Sequence, residues 1–388
     1  MKKSLLTVFA IVLIAPALFF VSCQKEEASY NVGFIGPMTG DYANYGILCN
    51  NSAELAIKHF NEAGGINGTP VTLITEDSEG LVEKASAAIE KLSSTDKILA
   101  LVGPVFTGST FAVADRCQNE GLALITPSAT HADITAIGDY IFRTVVSDGL
   151  QGEVAGHYFY EVLGYRELAV LYAKNDYSQG LYESMSSTFE SLGGTIVAAE
   201  TCMVGDKDFK TQLTKIKSES PDAIYIPNYT AEMAQILEQA AQLSVGAPFV
   251  SCDGFSNPEI YNLAGAYTDG VVYVGPAKVE ASAAYNEFVA DYKATYGVEP
   301  DSFATNAYDG ANIILNAIKA AAADGKATRA EVRDNIAATK DYAGVAGVIN
   351  FAANGDLVAY QGLYKVNGTT PEYLGAFAVV DGKIQKVE

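Results

Sequence analysis

From residue 31 to residue 252, short continuously apolar runs alternate with longer segments whose apolar positions recur every three or four residues. The first kind reads as buried strand and the second as amphipathic helix. A strand over 31–35 is followed by Leu48, Ala53, Ala56, Ile57 and Phe60 at helical spacing, and Gly64-Gly65 ends that helix. Strands over 71–75, 98–102 and 123–125 then alternate with helices over 83–92 and 109–119. A second series begins with a helix over 151–163 and a strand over 168–172. Next come a helix over 182–192, closed by Gly193-Gly194, and a strand over 195–199. Helices over 209–217 and 231–243 follow, with strands over 223–226 and 248–252. Two helices, 283–296 and 306–322, precede a final 40 residues that read as strands and turns over 348–351, 360–364 and 376–380. Strand–helix–strand alternation of this kind predicts parallel sheets covered by helices on both faces. The fold class expected is α/β, with two doubly wound parallel-sheet domains of similar size. Ligands bind at the carboxyl ends of such strands, so two facing domains make a cleft that closes by hinge motion.

The first 23 residues stand outside this pattern. Lys2 and Lys3 precede an apolar run over 5–21, broken only by Thr7 and Pro16, and Ser22 then precedes Cys23. A small residue directly before a cysteine, after such a run, is the pattern of a lipoprotein signal. Cleavage after residue 22 leaves Cys23 as the acylated N-terminus and residues 23–28 as a polar tether. The run is short for a spanning helix, which needs about 20 apolar residues. The expected localisation is therefore an exported protein held by its lipid to a bacterial membrane.

Loss of Lys2 and Lys3 takes the formal charge from −21 to −23. Charge of that sign excludes electrostatic binding to nucleic acid or to an anionic membrane face. About 365 residues remain, too many for one core, which again predicts two domains. Without Cys23, four cysteines remain: Cys49, Cys117, Cys202 and Cys252. An even number in an exported chain permits disulfides, but no Cys-x-x-Cys pair is present. His59, His131 and His157 are scattered, so no metal site is expected. Gly33, Gly36 and Gly40 follow the first strand without the Gly-x-Gly-x-x-Gly spacing. Walker, His-Glu-x-x-His and Gly-x-Ser-x-Gly motifs are absent as well, so neither an enzyme nor a cofactor is expected.

Several stretches resemble a known family. NVGFIGPMTGDYANYG (31–46) and NEAGGINGTPVTLITED (61–77) are similar to the opening of the branched-chain amino-acid binding proteins of ABC importers. The likeness continues through LVGPVFTGST (101–110), LITPSAT (124–130), YAKNDYSQGL (172–181), GDKDFKTQLTKIKSESPDAIYI (205–226) and FATNAYDGANI (303–313). It implies the type I periplasmic binding protein fold, with three chain crossings near 146–149, 276–279 and 347–351. One domain would comprise 29–147 and 278–349, the other 148–277 and 350–388. It also implies a monomer that captures an amino acid and delivers it to an ABC transporter permease.

A free amino acid is a zwitterion, and burying either charge unpaired costs several kcal/mol. The resemblance implies that Thr107 puts a hydroxyl on the ligand carboxylate, at a helix start that also favours an anion. Ser128 would offer a backbone carbonyl and Thr130 a hydroxyl. Asp253 stands where many amino-acid binders have Glu for the ammonium, one methylene longer. Tyr229, Tyr177 and Tyr45 would wall the cleft. Family members with a disulfide in the first domain carry it at positions near Glu79 and Phe106, so that bridge is missing here. Cys49 with Cys117, and Cys202 with Cys252, are the pairings left open. The competing classes are a binding or sensory module of the same fold for an amide, an organic acid or a sugar. A sensory module is expected to continue into a membrane span after Glu388, and a sugar site usually stacks its ligand on Trp, of which the chain has none.

Overall fold

The computed structural model describes residues 30–279 and 281–387. The signal segment, Cys23 and the tether lie outside them. Chain order begins β1 (Tyr30–Gly36), α1 (Ala43–Glu62), β2 (Val71–Asp77), α2 (Val82–Ser94), β3 (Ala100–Val102), α3 (Thr107–Asn119), β4 (Ala123–Thr126) and β5 (Ile141–Arg143). The five strands form one parallel sheet in the order β2-β1-β3-β4-β5. Both faces are covered, which is why β1, β3 and β4 are apolar almost throughout and not alternating. The covering helices are amphipathic: Ala85, Ala88, Ile89 and Leu92 form the buried stripe of α2.

The second series comprises α4 (Asp148–His157), β6 (Glu167–Ala173), α5 (Asp176–Ser191), β7 (Thr195–Cys202), α6 (Lys210–Glu219), β8 (Ala223–Tyr225), α7 (Thr230–Gln242), β9 (Phe249–Ser251), α8 (Glu259–Ala264) and β10 (Val272–Pro276). Three more helices return the chain to the first sheet: α9 (Ala283–Tyr296), α10 (Ser302–Ala321) and α11 (Arg329–Ala337). Here α10 packs along α1, and the Tyr292 hydroxyl donates to the Leu48 carbonyl at 3.2 Å. Sequence sets their limits. Ser282 and Asp301 cap α9 and α10 by accepting amides, and Gly297, with φ +77°, ends α9. The hairpin β11 (Tyr342–Gly344) and β12 (Gly347–Ile349) follows, then β13 (Gln361–Asn367), β14 (Thr370–Val380) and β15 (Lys383–Lys386).

The second sheet has eight strands, in the order β15-β14-β13-β10-β9-β8-β6-β7. Its β10-β9-β8-β6-β7 half is parallel, as expected. The C-terminal strands extend it antiparallel to β10, a mixed sheet that the word "parallel" does not cover. The expected helix over 151–163 starts three residues earlier and finishes in a π-turn over Tyr158–Val162. All four cysteines described are buried free thiols, so neither open pairing is formed. Cys49 packs with one face of the first sheet and Cys117 with the other. Cys252 lies beside the Tyr177 hydroxyl, and Cys202 sits in the separate core under α6 and α7.

Candidate functional site

Six loops or helix starts, each at the carboxyl end of a strand, converge between the two sheets. Tyr45 lies in the first turn of α1, after β1. Val105, Phe106 and Thr107 join β3 to α3, and Ser128 follows β4. From the other side come Tyr177 after β6, Tyr229 after β8, and Asp253 with Gly254 after β9. These residues and Phe303 enclose one cavity of about 10 Å³, the space of a single water centre.

The acidic pole is Asp253, 4% exposed. Its Oδ1 accepts from the Tyr177 hydroxyl at 2.7 Å and from Gln151 Nε2 at 3.2 Å, while its amide donates to Gln151 Oε1 at 2.7 Å. The second oxygen, Oδ2, is buried without a partner. Burial raises the Asp253 pKa, and the bonds from Tyr177 and Gln151 oppose the rise. The same Gln151 amide reaches Asp148 Oδ1 at 3.4 Å. Asp148 is raised well above the carboxylate range, first by burial and then by the charge of Asp253. Two buried carboxyls are thus joined through one amide, Asp253 in the cavity wall and Asp148 behind it. Gly254 admits this closeness: a Cβ there would lie 2.7 Å from the Asn228 carbonyl and 2.9 Å from the Tyr177 hydroxyl.

The opposite pole is rich in donors. Thr107 begins α3 and its hydroxyl is buried without a partner. The helix start adds amides and a partial positive charge. Ser128 donates to the Val105 carbonyl, which ties the two loops together. Thr130 lies outside the cavity wall, with its side chain beside Asp148. Its carbonyl is held by Arg143 Nη1 at 2.9 Å and by the Asp148 amide at 2.8 Å. Arg143 is wholly buried. It also binds the His131 and Ala132 carbonyls and pairs with Asp356, and so fixes the course of that loop.

Between the poles lie aromatic rings. Tyr177 and Tyr229 are stacked at 5.1 Å and 8°. Phe106 lies 4.7 Å from Tyr229, and Tyr45 lies 5.6 Å from Phe106. Asn175 caps α5 by accepting the Ser178 amide at 2.7 Å, which fixes the turn that carries Tyr177. Burial and the neighbouring Asp253 charge raise the Tyr177 pKa, so its hydroxyl keeps its proton and donates. At the rim, the Tyr42 hydroxyl donates to Glu232, which also accepts the Gly205 amide at 2.8 Å. Asn44 Nδ2 meets Asn257 Oδ1 at 3.3 Å beside them.

Six of the seven residues expected from sequence therefore line one cavity: Tyr45, Thr107, Ser128, Tyr177, Tyr229 and Asp253. The seventh, Thr130, stands behind it. Reading the sequence missed Phe106, Gln151, Asp148, Phe303 and the Tyr42–Glu232 contact. Phe106 sits inside the LVGPVFTGST stretch and was within reach. Gln151 and Asp253 are 102 residues apart, with no local signal linking them. A larger cavity of about 620 Å³ opens on the side of residues 144–146 and 276–279. It shares Gln151, Asp253 and Phe303 with the site and touches none of Phe106, Thr107 or Tyr229.

Residues 29–369 match the family model described as "Periplasmic binding protein". The leucine-, isoleucine-, valine-, threonine-, and alanine-binding protein of Pseudomonas aeruginosa is 32% identical over 340 residues, covering 87% of this chain and 90% of that one. Among solved structures, the branched-chain amino acid transporter substrate binding protein LivJ of Streptococcus pneumoniae, in complex with isoleucine, superposes with a TM-score of 0.82. It is 31% identical, and the match covers 92% of this chain and all of that one. The leucine binding protein LivK of Thermotoga maritima has the same TM-score at 27% identity, with 89% and 98% covered.

Proposed function

The chain belongs to the periplasmic binding protein family, and from that premise we propose that it captures a small neutral or aliphatic amino acid between two lobes and delivers it to an ABC permease. One observation carries the reading: a buried, half-unpaired carboxylate and a buried, unpaired hydroxyl at a helix start face the same cavity from opposite sides. That is the complement of a zwitterion. In this reading Asp253 receives the ammonium, with the Ser128 carbonyl beside it. Thr107 and the first amides of α3 receive the carboxylate, and Thr130 stands in the loop after β4 that carries Ser128. Tyr45, Tyr177 and Tyr229 cover the aliphatic part. Among the described residues no basic side chain lines this cavity, so an acidic ligand side chain would be left unpaired. The protein binds and releases its ligand without chemical change, as a monomer.

The lobes are 29–147 with 278–349, and 148–277 with 350–388. Support comes from the two separate sheets and from the return of α9, α10 and α11 to the first of them. A cavity the size of one water requires the lobes to part before an amino acid enters. Cys23 anchors the chain by its lipid, so Cys23→Ala expressed in a bacterium should release the protein from membranes. Equal membrane association of the two forms would refute that anchor. The ligand class is tested by calorimetry with Leu, Ile, Val, Ala and their desamino analogues. Analogues that bind as tightly as the amino acids would overturn the assignment.

A further inference from the structure

Phe106 is a ring whose presence the two polar poles do not explain, and it adjoins Thr107 at the start of α3. The Tyr177 hydroxyl serves Asp253, the Tyr45 hydroxyl accepts the Thr230 amide at 3.4 Å, and the Tyr42 hydroxyl donates to Glu232. Phe106 has no polar atom to place. Its ring nevertheless packs against three of these aromatics, 4.7 Å from Tyr229, 5.6 Å from Tyr45 and 6.1 Å from Tyr42. On its far side the chain is close as well, since a Cβ on Gly80 would lie 3.2 Å from the ring. The turn at Gly80 thus leaves Phe106 little more than the room of one missing methyl on that side.

Resting on the amino-acid reading above, we propose that Phe106 sets the permitted side-chain length, and that the protein selects short-chain amino acids, of the size of alanine or 2-aminobutyrate, over leucine and isoleucine. Thr107, the next residue, begins the helix that would take the carboxylate, and Asp253 would take the ammonium. With both poles engaged, the side chain points into the space bounded by Tyr45, Phe106 and Tyr229. On the Thr107 side, Phe106 has the Gly80 turn close to its ring. Each added methylene therefore has to push Phe106 off a staggered rotamer or hold Tyr229 away from it, which keeps the lobes from closing. The larger cavity adjoins the site at Asp253 and Phe303 and does not reach Phe106, so it adds no room beside that ring.

The test is calorimetry on the full mature chain with glycine, L-alanine, L-2-aminobutyrate, L-valine and L-leucine, for wild type, Phe106→Ala and Phe106→Leu. Wild type should bind best at alanine or 2-aminobutyrate and bind leucine at least about tenfold more weakly, the scale of one misfitted methylene or more. Phe106→Ala should move the optimum toward leucine, with Phe106→Leu between. Wild type binding leucine as tightly as alanine overturns the proposal and leaves the amino-acid reading intact. An optimum that Phe106→Ala leaves in place overturns the role of Phe106. Should that variant fail to fold, the wild-type series and Phe106→Leu decide. Failure of every amino acid to bind wild type sinks the underlying reading and the proposal with it.

Discussion

Replacing Asp253 by Asn should separate ligand affinity from stability, in opposite directions. In the free protein the Asp253 carboxyl is desolvated. One oxygen accepts from Tyr177 and Gln151, and the other has no partner. Its pKa is raised by burial, so folding favours the protonated form. The sign follows by linkage. The stabilising contribution is full below the unfolded carboxylate value of about 3.9 and is lost as pH rises through the higher folded value. Above the unfolded value the buried carboxyl is therefore a cost in the free protein, and asparagine keeps an oxygen for Tyr177 without an ionisable group. Free Asp253→Asn should therefore melt at or above the wild-type temperature. Binding is another matter. Removing one partner of a buried charge pair costs about 3–5 kcal/mol, which at about 1.4 kcal/mol per decade is roughly two to three and a half orders of magnitude in Kd. Calorimetry with L-alanine measures the loss, and differential scanning calorimetry without ligand measures the stability. Since the ammonium favours the ionised carboxyl, wild-type binding should also release protons wherever the raised free carboxyl is still protonated. Heats measured in buffers of different ionisation enthalpy reveal this, and Asp253→Asn should lose it. Affinity within tenfold of wild type in Asp253→Asn would refute the pairing of Asp253 with the ligand ammonium.

At the rim, Tyr42→Phe removes the hydroxyl that Glu232 accepts across the cleft. A hydrogen bond to a charged group contributes about 1.5–3 kcal/mol, so ligand affinity should fall about ten- to a hundredfold, and unchanged dissociation rates by stopped flow would exclude this contact as a latch. Asp309 accepts the Val345 and Ala346 amides, and burial pushes its carboxyl up to about 7. Its raised pKa makes one part of the stability full below about pH 4 and lost as pH rises through about 7. Asp309→Asn should flatten that part of the melting-temperature profile, and a profile identical to wild type would show that Asp309 does not titrate with folding.

The strand–helix alternation fixed the α/β class without a structure. Burial on both faces of a parallel sheet forces continuous apolar runs such as β1, β3 and β4, and helices such as α2 show their buried stripe in the spacing. The positions of Tyr45, Thr107, Ser128, Tyr177, Tyr229 and Asp253 came from the resemblance to a known family, and each lies in a loop or helix start beyond a strand's carboxyl end, where topology brings such segments together. Less was legible where a few residues carried no periodic signal. The strands β5, β10, β11 and β15 and the helices α8 and α11 went unread, as did the antiparallel direction of β13 and β14, since a strand's sequence does not state the direction of its neighbour. Local pattern could not tell that Gln151 would bridge Asp148 and Asp253, or that Tyr42 would meet Glu232, 190 residues away. Those contacts depend on how two independently patterned sheets face each other. Hydrophobic burial within each sheet specifies each half. The polar bonds across the cleft exist only once the three chain passages between the sheets have set their relative orientation.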